Sequence, residues 1–158
     1  YIGLHHRLDT PASGLMLFSL NKAVNPQLSR AFSERSIQRH YLMVVVGEMP
    51  ESGSWSTPID GKHAQTHFTR KAYANSLSLA EVSLDTGRTH QIRRHSSMAG
   101  HPIVGDRRYG ASAGRLWPRL ALHAHRLQFQ HPLTQESLDI YSSIPDDLLG
   151  LTTSLEDV

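Results

Sequence analysis

Residues 66–84, THFTRKAYANSLSLAEVSL, contain the pattern that decides the fold class of this protein. Two runs in which apolar and polar residues partly alternate, 66–74 and 77–84, flank Asn75-Ser76, a pair typical of a tight turn. Two extended segments joined by so short a connection pair as an antiparallel hairpin. We therefore expect a sheet built largely from antiparallel strands.

Further extended segments lie on both sides of this hairpin in the sequence. Residues 40–46, HYLMVVV, are rich in β-branched residues and are followed by a glycine, and residues 120–128 alternate in type. Both patterns predict strands. Shorter extended pieces are expected at residues 14–18, within 53–58 and near 138–141.

Three segments are predicted to be helical. Asn21 can cap a helix whose apolar residues recur at helical spacing. Thr86 or Thr89 can cap a second helix, which ends at Gly100. A single helical turn is expected at residues 146–149. Together, strands and helices predict an α+β fold in which a mostly antiparallel mixed sheet is flanked by a few helices.

The composition excludes several classes of protein. The 158 residues are enough for one domain, and 39% hydrophobic with 19% charged residues is typical of a globular chain. No window approaches the eighteen or so apolar residues of a membrane span. The absence of cysteine excludes disulfides and thiolate metal sites. Without a signal-peptide pattern, we expect a cytoplasmic protein with no membrane partner.

Positive charge is concentrated in one part of the chain. Residues 86–126 contain eight arginines and one acid, Asp106, whereas residues 127–158 contain six acids and neither lysine nor arginine. A segment with a net charge of +7 is typical of a surface that binds phosphates. The alternative is a solvated basic face balanced by an acidic tail.

Three other kinds of site fit the sequence poorly. His123 and His125 would share a strand face, as paired metal ligands do, but HExxH is absent and acidic ligands near them are scarce. Ser13 lies outside the GxSxG pattern of a hydrolase nucleophile. The glycines are isolated, so neither GxGxxG nor GxxxxGK[ST] occurs. We expect no metal and no nucleotide cofactor. A histidine-metal hydrolase is kept as the third hypothesis, after the two functions introduced below.

Three segments are unusual in combination: HRLDTPASGL at 6–15, TGRTHQIRRH at 86–95 with GHPIVGDRRYG at 100–110, and LALHAHRLQFQHP at 120–132. In this order and spacing they resemble the catalytic domain of the RluA-type RNA pseudouridine synthases, which isomerise uridine to its C-glycoside. The similarity includes RHYLMVVVG at 39–47 and GKHAQT at 61–66. The resemblance implies an isomerase that modifies uridines in structured rRNA or tRNA.

The resemblance also implies roles for individual residues. Asp9 would be the catalytic carboxylate, and Arg7 would contact the RNA around the flipped nucleotide. Tyr41 would stack on the target uracil and help to move the proton at C5. Arg93 would pair with Asp9 inside the pocket, and Leu122 would form part of the apolar wall beside the base.

Elementary chemistry agrees with these roles. A reaction at the ribose C1′ requires an ionised carboxylate, and a nearby cation favours that form. Extruding the nucleotide from the helix costs about a few kcal/mol. Stacking of the base on an aromatic ring offsets roughly 1–3 kcal/mol of this cost. The carboxylate could act as a nucleophile towards the sugar or ring, or as a base that removes a ribose proton, and the sequence leaves both open.

The expected RNA contacts and domain organisation complete the prediction. The family's catalytic domain begins several strands before its HRLD motif, so we expect residues 1–158 to be a single catalytic domain that lacks its N-terminal strands. We expect a monomer that binds rRNA or tRNA. Basic residues expected on the RNA backbone, besides Arg7, are Arg88, His90, Arg94, Arg107 and Arg108. The alternative is a non-catalytic RNA-binding module.

Overall fold

The structure, a computed structural model, describes residues 1–156 of the chain. Its regular elements in chain order are β1 (Gly3–Leu4), β2 (Ser13–Gly14), β3 (Phe18–Ser19), α1 (Asn25–Ser33), β4 (Gln38–Val46), β5 (Ser52–Trp55), β6 (Thr66–Ala74), β7 (Leu77–Leu84), α2 (Gln91–Met98), β8 (Leu122–Gln130), β9 (Ser137–Tyr141) and α3 (Asp146–Glu156). Short 3-10 helices precede α1 and follow α2.

One mixed sheet forms the centre of the described chain. Its strands lie in the order β2-β8-β4-β7-β6-β5, and β9 pairs with β8. Neighbouring strands are antiparallel except for β2, which runs parallel to β8. The prediction of a mostly antiparallel mixed sheet with flanking helices is confirmed.

The hairpin predicted from residues 66–84 is present as β6 and β7. Asn75 and Ser76 connect the two strands with φ values of 53° and 60°. Left-handed conformations at both central residues match the right-handed twist of hairpin strands. On its other side β7 pairs with β4, which makes β4 a central strand of the sheet.

The two faces of the sheet have different neighbours. Leu42 and Leu79 contact α3 through Leu148 and Thr152, whereas Tyr41 faces a large cavity on the opposite side. Successive side chains of a strand point to opposite faces, so β4 separates α3 from this cavity. A second apolar cluster beneath α1 contains Val24, Leu28, Ile37, Leu127 and Phe129.

Two sequence predictions of elements need correction. Residues 14–18 do not form one strand, since β2 pairs with β8 while β3 pairs with β1 in a separate two-stranded sheet. The predicted turn at 146–149 is the beginning of an eleven-residue helix. Leu148, Leu151 and Leu155 bury its apolar side in the main core, a tertiary contact that extends the helix.

None of the helices within residues 1–156 has the length and apolar character that a membrane crossing demands.

Candidate active site

A cavity of about 530 Å³ opens on the face of the sheet opposite α3. Its walls are the loop between β1 and β2, one side of α1, strand β4, the end of β7 and the first turn of α2. The residues predicted from sequence that line it are Arg7, Asp9, Tyr41, Arg88, His90 and Leu122. Residues separated by more than 100 positions in sequence therefore share one cavity.

Asp9 lies in the loop between β1 and β2. The backbone N–H of Ala12 donates to the Asp9 carbonyl at 2.8 Å, which closes a tight turn. The loop then reaches β8 at Gly14, where φ is +117° and an added Cβ would lie 2.2 Å from the carbonyl oxygen of Ala124. Only glycine permits this approach. The contact holds the Asp9 loop beside Leu122, the second residue before Ala124.

Arg93 lies behind Asp9 and forms the centre of a buried ion-pair network. Its Nη1 donates to Asp9 Oδ2 at 3.3 Å, while Nε and Nη2 donate to the two oxygens of Asp106 at 2.8 and 2.9 Å. Arg93 does not line the cavity, and its side chain is only 6% exposed. The predicted pairing of Arg93 with Asp9 is present, and Asp106 holds the guanidinium in place.

Asp106 was not predicted as a site residue. Burial alone would raise the pKa of its carboxyl, but hydrogen bonds from Arg93 and from the backbone N–H groups of Tyr109 and Arg108 lower the pKa overall. The hydrogen bonds between Arg93 and Asp106 also raise the pKa of Arg93. The signal in the sequence was the presence of one acid among eight arginines.

His90 faces the other oxygen of Asp9. Its Nε2 lies 3.9 Å from Asp9 Oδ1, and its Nδ1 lies 3.0 Å from the hydroxyl of Tyr109. The Tyr109 ring also lies 5.1 Å from Cζ of Arg93. Burial, followed by the charges of Arg93 and Arg108, outweighs the effect of Asp9 and lowers the pKa of His90. A neutral imidazole and a guanidinium therefore flank the carboxylate.

Gln91 anchors the start of α2. Its side-chain oxygen accepts from Thr86 Oγ1 at 2.7 Å and from the N–H of Arg88 at 3.0 Å. Its side-chain nitrogen donates to the carbonyl of Gln65 and to Thr66 Oγ1, both at 2.9 Å. All four hydrogen-bonding positions of this buried amide are occupied. The helix that carries His90 and Arg93 is thereby fixed to the sheet.

The predicted cap of this helix is wrong. Neither Thr86 nor Thr89 occupies the cap position, which belongs to His90 in a left-handed conformation with φ of 54° and no side-chain cap. Thr86 instead donates to Gln91. In this left-handed conformation, which is uncommon for a residue other than glycine, the imidazole lines the cavity. The end of the helix before Gly100 agrees with the prediction.

Tyr41 and Leu122 come from neighbouring strands, β4 and β8. Tyr41 pairs in register with Ala124, and Met43 pairs with Leu122. Both cavity residues are largely buried, at 6% and 3% exposure respectively. Burial raises the pKa of the Tyr41 hydroxyl, although Arg39 acts in the opposite direction. At neutral pH the cavity therefore presents a protonated phenol beside an aliphatic side chain.

The remaining predicted RNA contacts lie outside the cavity. Arg94 pairs with Asp60 at 3.0 Å, and Arg107 approaches the carbonyl of Pro118. Arg108 lies over the ring of Tyr109, with its Cζ 5.4 Å from the centroid. The structure therefore divides the predicted basic residues between the cavity and the surface around it.

The predicted histidine pair does not form a paired metal site. His123 contacts Ser13 Oγ through Nδ1 at 2.9 Å, and His125 approaches Glu81 only to 4.0 Å. His95 is a core residue whose ring nitrogens contact Thr66 and Thr57. Within residues 1–156, no group of three or more His, Asp or Glu side chains is arranged to hold a metal ion.

Fold and site together define a protein with a carboxylate and a tyrosine in a basic cavity on a mostly antiparallel mixed sheet. Residues 1–98 match the family described as RNA pseudouridylate synthase. The chain is 34% identical, over 98% of its length, to "Ribosomal large subunit pseudouridine synthase D" of Vibrio cholerae, and covers 56% of that protein. It is 40% identical, over 84% of its length, to "Dual-specificity RNA pseudouridine synthase RluA" of Pasteurella multocida, and covers 69% of it.

A solved structure titled for the same activity has a similar fold. The structure titled "Human RNA Pseudouridylate Synthase Domain Containing 1" superimposes with a TM-score of 0.77 and 29% identity, covering 92% of this chain and 70% of that one. The chain belongs to the RNA pseudouridylate synthase family, as its motifs predicted. It spans little more than half the length of the Vibrio cholerae relative.

Proposed function

We propose that this protein isomerises specific uridines in structured RNA to pseudouridine, with Asp9 as the catalytic carboxylate. The observation that carries the proposal is the position of Asp9 in the cavity wall, bonded to buried Arg93 and sharing the cavity with Tyr41 and Leu122. The relatives named for the large ribosomal subunit support rRNA as the substrate, and the dual-specificity relative supports a second RNA.

The cavity suits a flipped uridine. A stacked nucleotide hides its glycosidic bond, so the base must leave the helix before reaction. Tyr41 offers an aromatic surface and Leu122 an apolar wall, and both replace stacking that the base loses. Arg7 and Arg88, on the cavity rim, are placed to contact the backbone around the extruded nucleotide.

Asp9 and its neighbours supply the chemistry. The isomerisation breaks the bond from C1′ to N1, forms a bond from C1′ to C5, and moves the C5 proton to N1 through solvent or a protein group. Asp9 attacks the sugar or ring, or removes a ribose proton, and Arg93 holds its side chain in the cavity wall through Nη1 in either role. Oxidation state and composition do not change, so the reaction needs no cofactor.

The decisive variant is Asp9→Asn, which preserves shape but removes the charge. Intact protein and variant are incubated with unmodified transcripts of rRNA and tRNA, and pseudouridine is mapped by chemical labelling and primer extension. We expect site-specific pseudouridine with the wild type and a loss of at least about a thousandfold in rate with the variant, because a covalent or proton-transfer group has been removed. Asp60→Asn, which changes an exposed aspartate outside the cavity, is the matched control.

A non-catalytic RNA-binding module is the second candidate. The observation that favours it is that four arginines of the basic segment have no acidic partner within residues 1–156, namely Arg88, Arg107, Arg108 and Arg115. This candidate predicts salt-sensitive RNA affinity that is equal for wild type and Asp9→Asn, with no product from either. Equal product from both proteins would contradict the role of Asp9 instead.

A further inference from the structure

The end of the cavity next to α1 contains an arginine that has neither a hydrogen-bond acceptor nor an acidic partner within residues 1–156. Arg39 lies on β4, two residues before Tyr41, so both side chains point to the same face and line the same cavity. The Arg39 side chain is half-buried. Within residues 1–156, no group accepts a hydrogen bond from its guanidinium or forms an ion pair with it, and its Nε is inaccessible to solvent.

Such an arrangement is costly for folding. A guanidinium carries five N–H donors and remains charged, and a buried donor of this kind without an acceptor loses its hydration without compensation. Buried polar groups in proteins are almost always satisfied, and the exceptions concentrate at functional sites. Nε itself is closed off from the cavity, but the half-buried guanidinium leaves in the cavity wall a positive charge that an anionic ligand can compensate.

The surroundings of Arg39 hold the guanidinium open towards the cavity. Its Cζ lies 6.0 Å from the centroid of the Phe32 ring on α1. On the side of the loop before α2 stands Gly87, where an added Cβ would lie 3.4 Å from Nη1 of Arg39. The absence of a side chain at Gly87 leaves the polar edge of the guanidinium unobstructed.

His6 adds a second unused donor beside Arg39. Its ring stacks on Phe32 with centroids 4.8 Å apart, and its Nε2 accepts from the N–H of Leu17 at 2.8 Å. Because Nε2 accepts, the proton of the neutral ring is on Nδ1, which is buried and unpartnered. Burial, assisted by the charges of Arg39 and His5, lowers the pKa of His6 to about 4, so the ring is neutral at pH 7.

The balance of charge around this subsite favours an anion. We define the α1-side subsite as the cavity residues His5, His6, Phe32, Arg35 and Arg39. It contains donors and cations but no carboxylate. Asp9 and Asp85 are the acids that line the cavity elsewhere; they contact Arg93 and His67 respectively.

We propose that the α1-side subsite binds a backbone phosphate adjacent to the target uridine, with Arg39 as its principal ligand. The planar guanidinium donates two parallel hydrogen bonds to the phosphate oxygens through its terminal nitrogens, and the neutral His6 ring beside it adds no competing acid. A uracil carbonyl could accept a hydrogen bond but would leave the charge of Arg39 uncompensated. The proposal rests on the proposed function, since it takes an RNA uridine as the occupant of the cavity.

The test measures binding without chemistry, so its outcome is separate from that of the Asp9 experiment. Uridine and uridine 3′,5′-bisphosphate are titrated into the intact protein, with affinity followed by NMR or calorimetry. We expect the bisphosphate to bind at least about tenfold more tightly, as a charge-assisted hydrogen-bond pair provides. Parallel titrations with the 5′- and 3′-monophosphates show which phosphate is bound.

Three variants decide the role of Arg39. Arg39→Met keeps the apolar stem and should abolish the preference for the bisphosphate, while Arg39→Lys keeps the charge without the planar fork and should retain part of it. Arg30→Met, on α1 but outside this cavity, should behave as the wild type. A wild-type protein without the preference, or an Arg39→Met variant that retains it, would overturn the proposal.

Thermal stability separates a ligand-binding role from a structural one. The Arg39 guanidinium donates no hydrogen bond and forms no ion pair within residues 1–156. Arg39→Met should therefore leave the Tm unchanged or raise it, while phosphate binding is lost. With RNA as substrate, KM should rise and kcat should change little. A fall in Tm together with unchanged phosphate preference would assign Arg39 a structural role.

Discussion

Two aspartates paired with consecutive arginines of α2 show how burial changes the contribution of an ion pair to the free energy of unfolding. Arg93 forms two hydrogen bonds with Asp106, whose side chain is 1% exposed. Arg94 forms a similar pair with Asp60, which is 68% exposed. Breaking a buried pair leaves an uncompensated charge in a medium that solvates it poorly, whereas water replaces an exposed partner.

Replacing Asp106 should therefore affect both folding and the site. We expect Asp106→Asn to lower the free energy of unfolding by about 3–5 kcal/mol and to reduce kcat, because Arg93 loses the carboxylate that orients it towards Asp9. Asp60→Asn should cost at most about 1 kcal/mol. Urea denaturation measures both changes, and equal destabilisation by the two variants would refute the difference in burial.

His6 should make stability depend on pH. Its pKa is lowered from 6.5 to about 4 by burial, so between these values the unfolded chain binds a proton that the folded chain does not. Stability therefore rises with pH in this window and is lost as pH falls from 6.5 towards 4. After allowance for partial exposure of the ring, we expect a loss of about 1–2 kcal/mol.

A comparison of the wild type with a His6 variant isolates the contribution of His6 to the pH dependence of stability. His6→Gln retains an acceptor for the N–H of Leu17 but does not titrate in this range. Urea denaturation of wild type and variant at pH 6.5 and pH 4.5 should show a steeper loss of stability for the wild type. Parallel curves for the two proteins would contradict the lowered pKa.

At the scale of elements, the placement of α2 depends on Gln91. This amide satisfies two groups in the loop before the helix and two at the entry to β6, in Gln65 and Thr66. Gln91→Met keeps the approximate volume but leaves buried donors and acceptors unpaired, so we expect a loss of about 2–3 kcal/mol. The helix start should also shift, which lowers kcat because His90 and Arg93 flank Asp9.

A surface change on the same helix is the control for Gln91. Met98 is exposed at the last turn of α2, and Met98→Gln should change stability by less than about 0.5 kcal/mol. Urea denaturation measures the stability of both variants, and pseudouridine assays measure their activity. Wild-type stability and activity in Gln91→Met would show that the helix is held by other contacts.

Elements governed by local chemistry could be predicted from the sequence. The turn at Asn75-Ser76 and the strand predicted at 40–46, observed at 38–46, follow from residue type, since left-handed conformations and β-branched runs are local properties. The division of residues 14–18 between two sheets depends on the approach of Gly14 to Ala124, over 100 residues away. Sequence periodicity contains no information about such a contact.

The site was predictable to a similar extent. Asp9, Tyr41, Arg93 and Leu122 were assigned through the family resemblance of the motifs that contain them, and the structure places them next to one another. Asp106, Tyr109 and Arg39 did not, because their significance lies in burial and in partners that only the fold reveals. An arginine without an acceptor cannot be distinguished in sequence from an arginine on the surface.

At the scale of the whole molecule, the acidic tail neutralises part of the basic segment. Asp147 pairs with Arg119, and Asp139 pairs with Arg126 at 2.7 Å. With Arg93 and Arg94 also paired, half of the eight arginines in residues 86–126 are engaged within the protein. The net charge of this segment therefore overstates the number of arginines that can meet RNA.

The salt dependence of RNA binding should distinguish the arginines that pair with an acid of the protein from the arginines that do not. Arg88, on the cavity rim and without an acidic partner, is free to release counterions from a phosphate, so Arg88→Met should reduce the slope of log K against log salt by about 0.7–0.9. Arg126 is already compensated by Asp139, and Arg126→Met should leave the slope unchanged. Fluorescence anisotropy with a labelled rRNA transcript between about 50 and 200 mM salt measures both slopes. Equal reductions would mean that RNA displaces Asp139 from Arg126, and that total charge rather than internal pairing governs the interface.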